Sequence, residues 1–341
     1  MNVLFVVDSK NSALYTAACA RTKVGGGSVI AASEFSSAKT LLNFLLRVKP
    51  DTIIFSWRQA LLECSFSLQN QNLLRKIHES SVIGVLIPDH QGLDSKHWLK
   101  ELTTLALCDF YMVTNTILFK SYTQLIPEFP PVSILHDLPN RELMEQVRRN
   151  SPKLNENALR VIWIGNSKWG ERQGFLDHKG FQEVIQQLIK LVDECENHIS
   201  FEIIDSSVRR IPHKKVLERI RQADVLIQSS SSEGTGLPIL EALGLETDVM
   251  TTDVGVANEI FFQDHKEKLI DRDPRAILVK LKTYSKPNPS VLRNLYLEYC
   301  RIAESERIPD VQLTSITFST FSTLRTRVRS SLKWRYRFLM K

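Results

Sequence analysis

The sequence predicts an α/β fold built from two Rossmann-like domains, and three observations carry that reading. Short β-rich apolar runs alternate with helix-like segments along most of the chain, the pattern of parallel sheets covered by helices. The chain has 341 residues, 43% of them hydrophobic, enough for two ordinary domains. A charged stretch from Arg141 to Lys153, broken by Ser151-Pro152, reads as the linker that ends the first domain near residue 155.

Asn2 to Val7 is the first strand, too short and too poor in basic residues for a signal peptide. Gly25-Gly-Gly27 does not make Gly-x-Gly-x-x-Gly and is read as a tight turn before the strand Ser28-Val-Ile-Ala31. Helices are expected over Ala38–Leu46 and Leu61–His78, and strands over Asp51–Trp57 and Ser81–Ile87. A helix-to-strand step follows at Ala106–Asn115, and the last strand of this half at Pro131–Asp137. His136-Asp137 has the composition of an acid–base pair, but strand-end loops carry such pairs for capping, and capping is the preferred reading. Ligands of doubly wound sheets bind beyond the carboxyl ends of the strands. Ile87-Pro-Asp89-His90-Gln-Gly92 is placed there, with His90 able to donate to a phosphate and Asp89 able to orient its ring or cap a turn.

The second half opens with the strand Leu159–Gly165, a loop through Lys168 and Arg172, and His178-Lys179-Gly180 before the helix Phe181–Leu191. Phe201–Asp205 is a strand, Ser206–Pro212 a loop and His213–Gln222 a helix, with His213 read as an exposed helix-start residue beside two lysines. The short apolar run Asp224–Gln228 then leads into Ser229-Ser-Ser-Ser-Glu233-Gly-Thr-Gly-Leu-Pro-Ile-Leu-Glu241. Gly234 and Gly236 bracket Thr235, and Pro238 occupies a first-turn position where a missing N–H costs nothing. The turn therefore offers free amides at a helix start, a ready place for phosphate. Glu233 and Glu241 repel a phosphate but suit sugar hydroxyls, which donate to them.

The run Glu233-Gly-x-Gly-x-Pro-x-x-Glu241-Ala, followed by Thr252-Asp-Val-Gly255-Val-Ala-Asn-Glu259, resembles the donor-binding segment of the retaining two-domain nucleotide-sugar glycosyltransferases, those of GT-B fold and family 4 type. The resemblance covers most of residues 1 to 315 and implies two Rossmann-like domains facing across a cleft, 1–155 on the acceptor side and 156–290 on the donor side. It implies that His90 and Glu233 act at the donor sugar, and that Glu241 binds the ribose. The backbone of Gly236 and Leu237 would meet the diphosphate. Lys179 matches the lysine that neutralises the leaving diphosphate, and Lys168 and Arg172 compete for the second cationic place, with Arg172 preferred for its two-pronged fork. Arg210 and Ile211 fall where the family holds the base through backbone groups. No metal and no cofactor beyond the donor substrate is expected. The sequence departs from the family at Asp8-Ser-Lys-Asn-Ser12, where a glycine pair is usual, at Glu246 and Asp248, where glycine and proline are common, and at Val256, the usual second glycine.

The formal net charge of +6 is uneven: residues 324 to 341 hold seven basic residues and no acid, and the body is close to neutral. Residues 291–320 are expected to be helical and to pack toward the first domain. Residues 321–341 read as a basic amphipathic tail suited to an anionic membrane surface. The neutral body supplies no groove for nucleic acid. Five scattered cysteines argue for a reducing, cytoplasmic setting, peripheral to the membrane, and no stretch approaches the length of an apolar span.

The function expected is retaining transfer of a sugar from a nucleoside diphosphate to a hydroxyl of a saccharide or lipid-linked acceptor, in cell-surface polysaccharide synthesis. A nucleotide-sugar epimerase or phosphorylase of similar fold and a non-catalytic nucleotide-sugar-binding protein stay open. The missing dinucleotide fingerprint weighs against an NAD enzyme.

Overall fold

The computed structural model describes residues 2–89, 93, 97–153, 158–171, 174–195, 198–261 and 264–308. The described chain divides into two compact units: residues to 114, 118–135 and from 306 onward form the first, and residues 115–117 and 136–305 the second.

In the first unit the apolar runs become strands β1 (Val3–Val7), β2 (Ser28–Ala31), β3 (Thr52–Phe55), β4 (Val82–Ile87), β5 (Phe110–Val113) and β6 (Ser133–Ile134). They form one sheet, ordered β2-β1-β3-β4-β5-β6, with every pairing parallel. The crossovers are α1 (Ala13–Gly25), α2 (Ala38–Val48), α3 (Arg58–Glu63), α4 (Leu68–His78), α5 (Trp98–Leu105) and α6 (Thr116–Leu125). Both sheet faces are covered, which is why β1, β3 and β4 are buried at every position. The single helix expected over Leu61–His78 is two, because Ser67 is a helix cap: its hydroxyl accepts the Asn70 amide at 3.1 Å and restarts the chain as α4.

The second unit contains α7 (Arg141–Asn150), β7 (Leu159–Gly165), α8 (Gln186–Cys195), β8 (Ile199–Asp205), α9 (His213–Gln222), β9 (Val225–Gln228), α10 (Leu237–Gly244), β10 (Asp248–Thr251), α11 (Ala257–Phe261), α12 (Pro274–Lys282) and α13 (Pro289–Ser305). Its parallel sheet is ordered β10-β9-β7-β8. Chain order and sheet order differ, so β7 lies between β8 and β9, and the loops after β7 and β9 leave neighbouring strands at the same edge.

The charged stretch Arg141 to Lys153, read as a linker, lies inside this second unit, where its first ten residues are α7, which packs on α9. The described part of the segment expected to turn toward the first half, as far as Ser305, lies in α13, which packs on α10. Its apolar face, Leu292, Tyr296, Tyr299, Cys300 and Ala303, is buried, and Arg293 donates to the carbonyl of Gly244 at 3.1 Å, at the end of α10. Only Glu306 to Ile308 among the described residues that follow belong to the first unit, where Arg21 meets Glu306 at 3.4 Å. The tail read as amphipathic, 321–341, lies outside the described residues.

Glu246 adopts φ 62°, a left-handed conformation costly for a residue with a Cβ. Its carboxylate is held by Arg221 at 2.8 Å and by Arg148 at 3.5 Å, which compensates the strain.

Candidate active site

The site forms where β9 ends. Residues 178–180 are stitched to residues 229–231: the Ser231 amide donates to the carbonyl of His178 at 2.8 Å, and the Ser229 hydroxyl to the carbonyl of Lys179 at 2.8 Å. Gly180, at φ 67°, packs against the carbonyl oxygen of Ser229 so closely that a Cβ there would collide with it. Glycine is thus required for the approach that brings Lys179 to the turn. Asp177 then starts the next helix, accepting the amides of Gln182 at 3.0 Å and Glu183 at 2.8 Å.

Lys179 Nζ lies 2.5 Å from Glu233 Oε1, and both side chains are largely buried. Two further donors reach the same oxygen, Gln228 Nε2 and Ser230 Oγ, each at 2.6 Å. Burial alone would raise the Glu233 carboxyl, but the Lys179 ammonium and these hydrogen bonds outweigh it and hold the group below the usual range. Glu233 is therefore an anion at neutral pH. Lys179 also stands over the Trp169 ring, 5.3 Å from its centroid, and Trp169 packs on His178 at 4.3 Å. Burial, with the Lys179 ammonium beside it, pushes the His178 imidazole down, which favours its uncharged form.

Gly236, at φ 76°, ends the turn, and Leu237 and Pro238 open α10. The turn is braced from behind. Thr235 Oγ1 donates to Asp137 Oδ2 at 2.5 Å, Asn115 Nδ2 to the carbonyl of Gly234, and the Val256 amide to the carbonyl of Thr235 at 3.1 Å. Tyr299 of α13 supports this in turn by donating to the Asp137 carbonyl at 2.9 Å. Next to Asp137, His136 Nε2 lies 2.5 Å from Glu259 Oε2, and Glu259 Oε1 accepts the Thr116 amide at 2.6 Å. His136 thus ties Glu259 of α11, and Asp137 ties Thr235 of the turn.

Glu241 lies about one turn into α10, buried, with Oε1 2.7 Å from Nε2 of His213. The hydrogen bond to Glu241 raises the His213 imidazole above its usual value against the opposing effect of burial. His213 is therefore half-buried and paired, which corrects its reading as an exposed helix-start residue.

A cavity of about 530 Å³ opens beside β8, lined among others by Lys168, Phe181, Asp205, Ser207, Arg209 and Ile211. Asp205 organises its rim, accepting the Ser167 amide at 3.1 Å and the Ser207 amide at 2.9 Å. Of the residues expected at the base, Ile211 lines this cavity, whereas Arg210 is exposed and its neighbour Arg209 takes the lining position. Lys168 is exposed at the cavity edge. His90 and Arg172 lie outside the described residues.

The structure therefore brings Lys179, Glu233, Gly236, Leu237 and Glu241 onto one turn and its neighbours. Sequence reasoning missed Gln228, Ser230, Trp169, Asn115 and His213. Ser230 stands three residues before Glu233, a spacing at which a hydroxyl commonly meets a turn acid. Nothing local marks His213, whose partner lies on another helix.

Residues 175–284 match the family of glycosyl transferases group 1. A search of curated proteins finds no matching sequence. Among solved structures, the chain is similar to the GtfA/B complex at 12% identity and TM-score 0.51, over 85% of this chain and 61% of that one, so it spans less than two thirds of that relative. It is similar to an α,α-trehalose-phosphate synthase (UDP-forming) from Burkholderia vietnamiensis at 9% identity and TM-score 0.61, over 96% of this chain and 100% of that one. The trehalose-6-phosphate synthase OtsA aligns at 9% identity and TM-score 0.64, over 89% of this chain and 95% of that one. At such identities the similarity speaks for the fold, and the family match lies in the unit that holds the Glu233 turn. Residues 175–284 thus form a glycosyl transferases group 1 domain within a chain of GT-B fold.

Proposed function

We propose that the protein moves a hexosyl unit from a nucleoside-diphosphate sugar to an acceptor hydroxyl, with retention of anomeric configuration. The observation that carries this reading is the meeting of Lys179 and Glu233 at the glycine turn that opens α10. Breaking a glycosidic bond to a diphosphate develops negative charge on the leaving group, and a preorganised cation with amides at a helix start stabilises it. Lys179 and the backbone of Gly236 and Leu237 take that role without a metal, with Arg172, in preference to Lys168, as the second cation. Glu233 accepts from hydroxyls of the donor sugar, His90 donates near its phosphate, and Glu241 accepts from the ribose. Arg210 and Ile211 belong to the loop beside the base. A trehalose-phosphate synthase of similar fold is named as UDP-forming, which makes UDP the first nucleotide to try.

Among the described residues no helix is long and apolar enough to cross a membrane. The basic residues of 321–341 suit an anionic membrane surface, and a lipid-linked or cell-surface saccharide acceptor follows from that placement. Liposome sedimentation of the full chain and of a chain truncated at residue 323 checks the attachment, which equal binding by both would refute.

Calorimetry against a panel of nucleotide sugars, followed by product detection with saccharide and lipid-linked acceptors, tests the reaction. Transfer that persists in a chelator, with retained configuration, is the expected result. Donor binding without transfer or hydrolysis would instead identify a binding protein, and no binding by any nucleotide sugar would reject the site.

A further inference from the structure

The geometry points to His213 as the residue that holds Glu241 in place for the nucleoside, a positioning role that rests on the donor-site reading above. Glu241 is 6% exposed, and a carboxylate so far from water requires hydrogen-bond donors. His213, the first residue of α9, supplies one at 2.7 Å on Oε1. With one oxygen engaged, the carboxylate keeps a single orientation and its other oxygen is left to accept from a ribose hydroxyl.

The charged groups around His213 leave Glu241 as its partner. Lys214 and Lys215 are exposed, and Lys215 turns to Glu218 at 2.7 Å. Glu241 is the one titratable side chain of α10. On α7, Glu145 and Arg148 pair at 3.1 Å, Arg141 meets Glu304 at 3.1 Å, and Glu142 and Arg149 are exposed. Arg160 stands near the amino end of β7, away from the strand ends that the start of α9 follows. The imidazole, raised by Glu241, is charged below that raised value and binds the carboxylate as an ion pair; above it a neutral ring holds Glu241 more weakly.

The test is calorimetry on the full chain with UDP and GDP, each beside its 2′,3′-dideoxy form, for wild type, His213→Ala and His213→Gln at pH 6 and pH 9. His213→Ala weakens the ribose-containing nucleotide about tenfold and leaves the dideoxy form unchanged, the size of effect expected for one charge-assisted hydrogen bond. His213→Gln restores most of the loss, because its amide N–H reaches the same oxygen without titrating. The wild-type preference for ribose declines from pH 6 to pH 9, and the glutamine variant's does not. A ribose preference that is unaltered in His213→Ala, or that falls with pH equally in His213→Gln, overturns the positioning role while nucleotide binding itself stands. Binding of neither nucleotide to wild type, or equal binding of the ribose and dideoxy forms by wild type, overturns the donor-site reading at Glu241 and this role with it.

Discussion

Glu101 in the first unit and Glu233 in the second are both carboxylates withdrawn from water beside a cation, and they shift in opposite directions. Glu101 lies on α5 with Oε2 3.2 Å from Arg58 and with Tyr122 donating to Oε1 at 2.5 Å, while Arg58 divides its charge with Asp89 at 2.8 Å. Burial dominates there, and the group is raised despite the arginine. Burial acts on Glu233 too, yet a lysine that pairs with no second carboxylate among the described residues and two neutral donors converge on one oxygen, and the group is lowered. An acid wedged between helices with a shared cation tends toward neutrality and holds a core together. An acid in a loop with several donors stays charged and is equipped to accept from a ligand.

Removing the cation from each cluster separates the two roles most widely. Arg58→Ala removes the cation that Asp89 and Glu101 share, and urea denaturation should show a loss of about 3–5 kcal/mol. Lys179→Ala should cost less stability, because Gln228 and Ser230 still donate to Glu233, and should weaken UDP by roughly 10- to 100-fold in calorimetry, the range of a charge-assisted contact to phosphate. A large stability loss in the second variant would erase the distinction.

The approach that builds the Glu233 cluster comes next in size. Gly180→Ala places a Cβ against the Ser229 carbonyl at a positive φ, and a cost of about 1–3 kcal/mol is expected together with weaker UDP binding. Wild-type stability and affinity in this variant would show that the segment tolerates displacement.

The pH profile sharpens the comparison at the smallest scale. Glu101, raised above its ordinary 4.5, binds its proton more tightly folded than unfolded, so its contribution grows as the pH falls from the raised value toward 4.5. Glu233, lowered below 4.5, contributes stability that is present above that value and lost as the pH falls through the depressed one. Urea midpoints between pH 3 and pH 7 should therefore lose their acid-side decline in Glu233→Gln and lose the gain above 4.5 in Glu101→Gln. Parallel curves for both variants would contradict the opposite shifts.

The alternation of apolar runs and helices made both sheets legible, because a strand covered on two faces has to be apolar, as in β1 throughout and in β9 up to Gln228. Turn chemistry was legible where a residue type is required, as with Gly236 and Pro238. Partners across separate elements were not. Gln228 and Ser230 of the Glu233 cluster read as ordinary strand-end polar residues, and His213 as a surface residue, because their meaning lies in what α10 brings opposite them. The break at Ser67 was hidden by helix-forming residues on either side of a cap. The extent of the second unit was masked by a charged stretch that looks like a linker and is helix α7, amphipathic, with Met144 and Val147 buried.

The backbone seams between residues 178–180 and 229–231 have a practical consequence for anyone exchanging parts among such enzymes. A graft that transplants only the glutamate turn would sever pairings supplied by a stretch some fifty positions earlier, and a chimaera joined between the two would inherit mismatched halves. On the proposed donor site, both stretches are to be moved together, as a single discontinuous cassette.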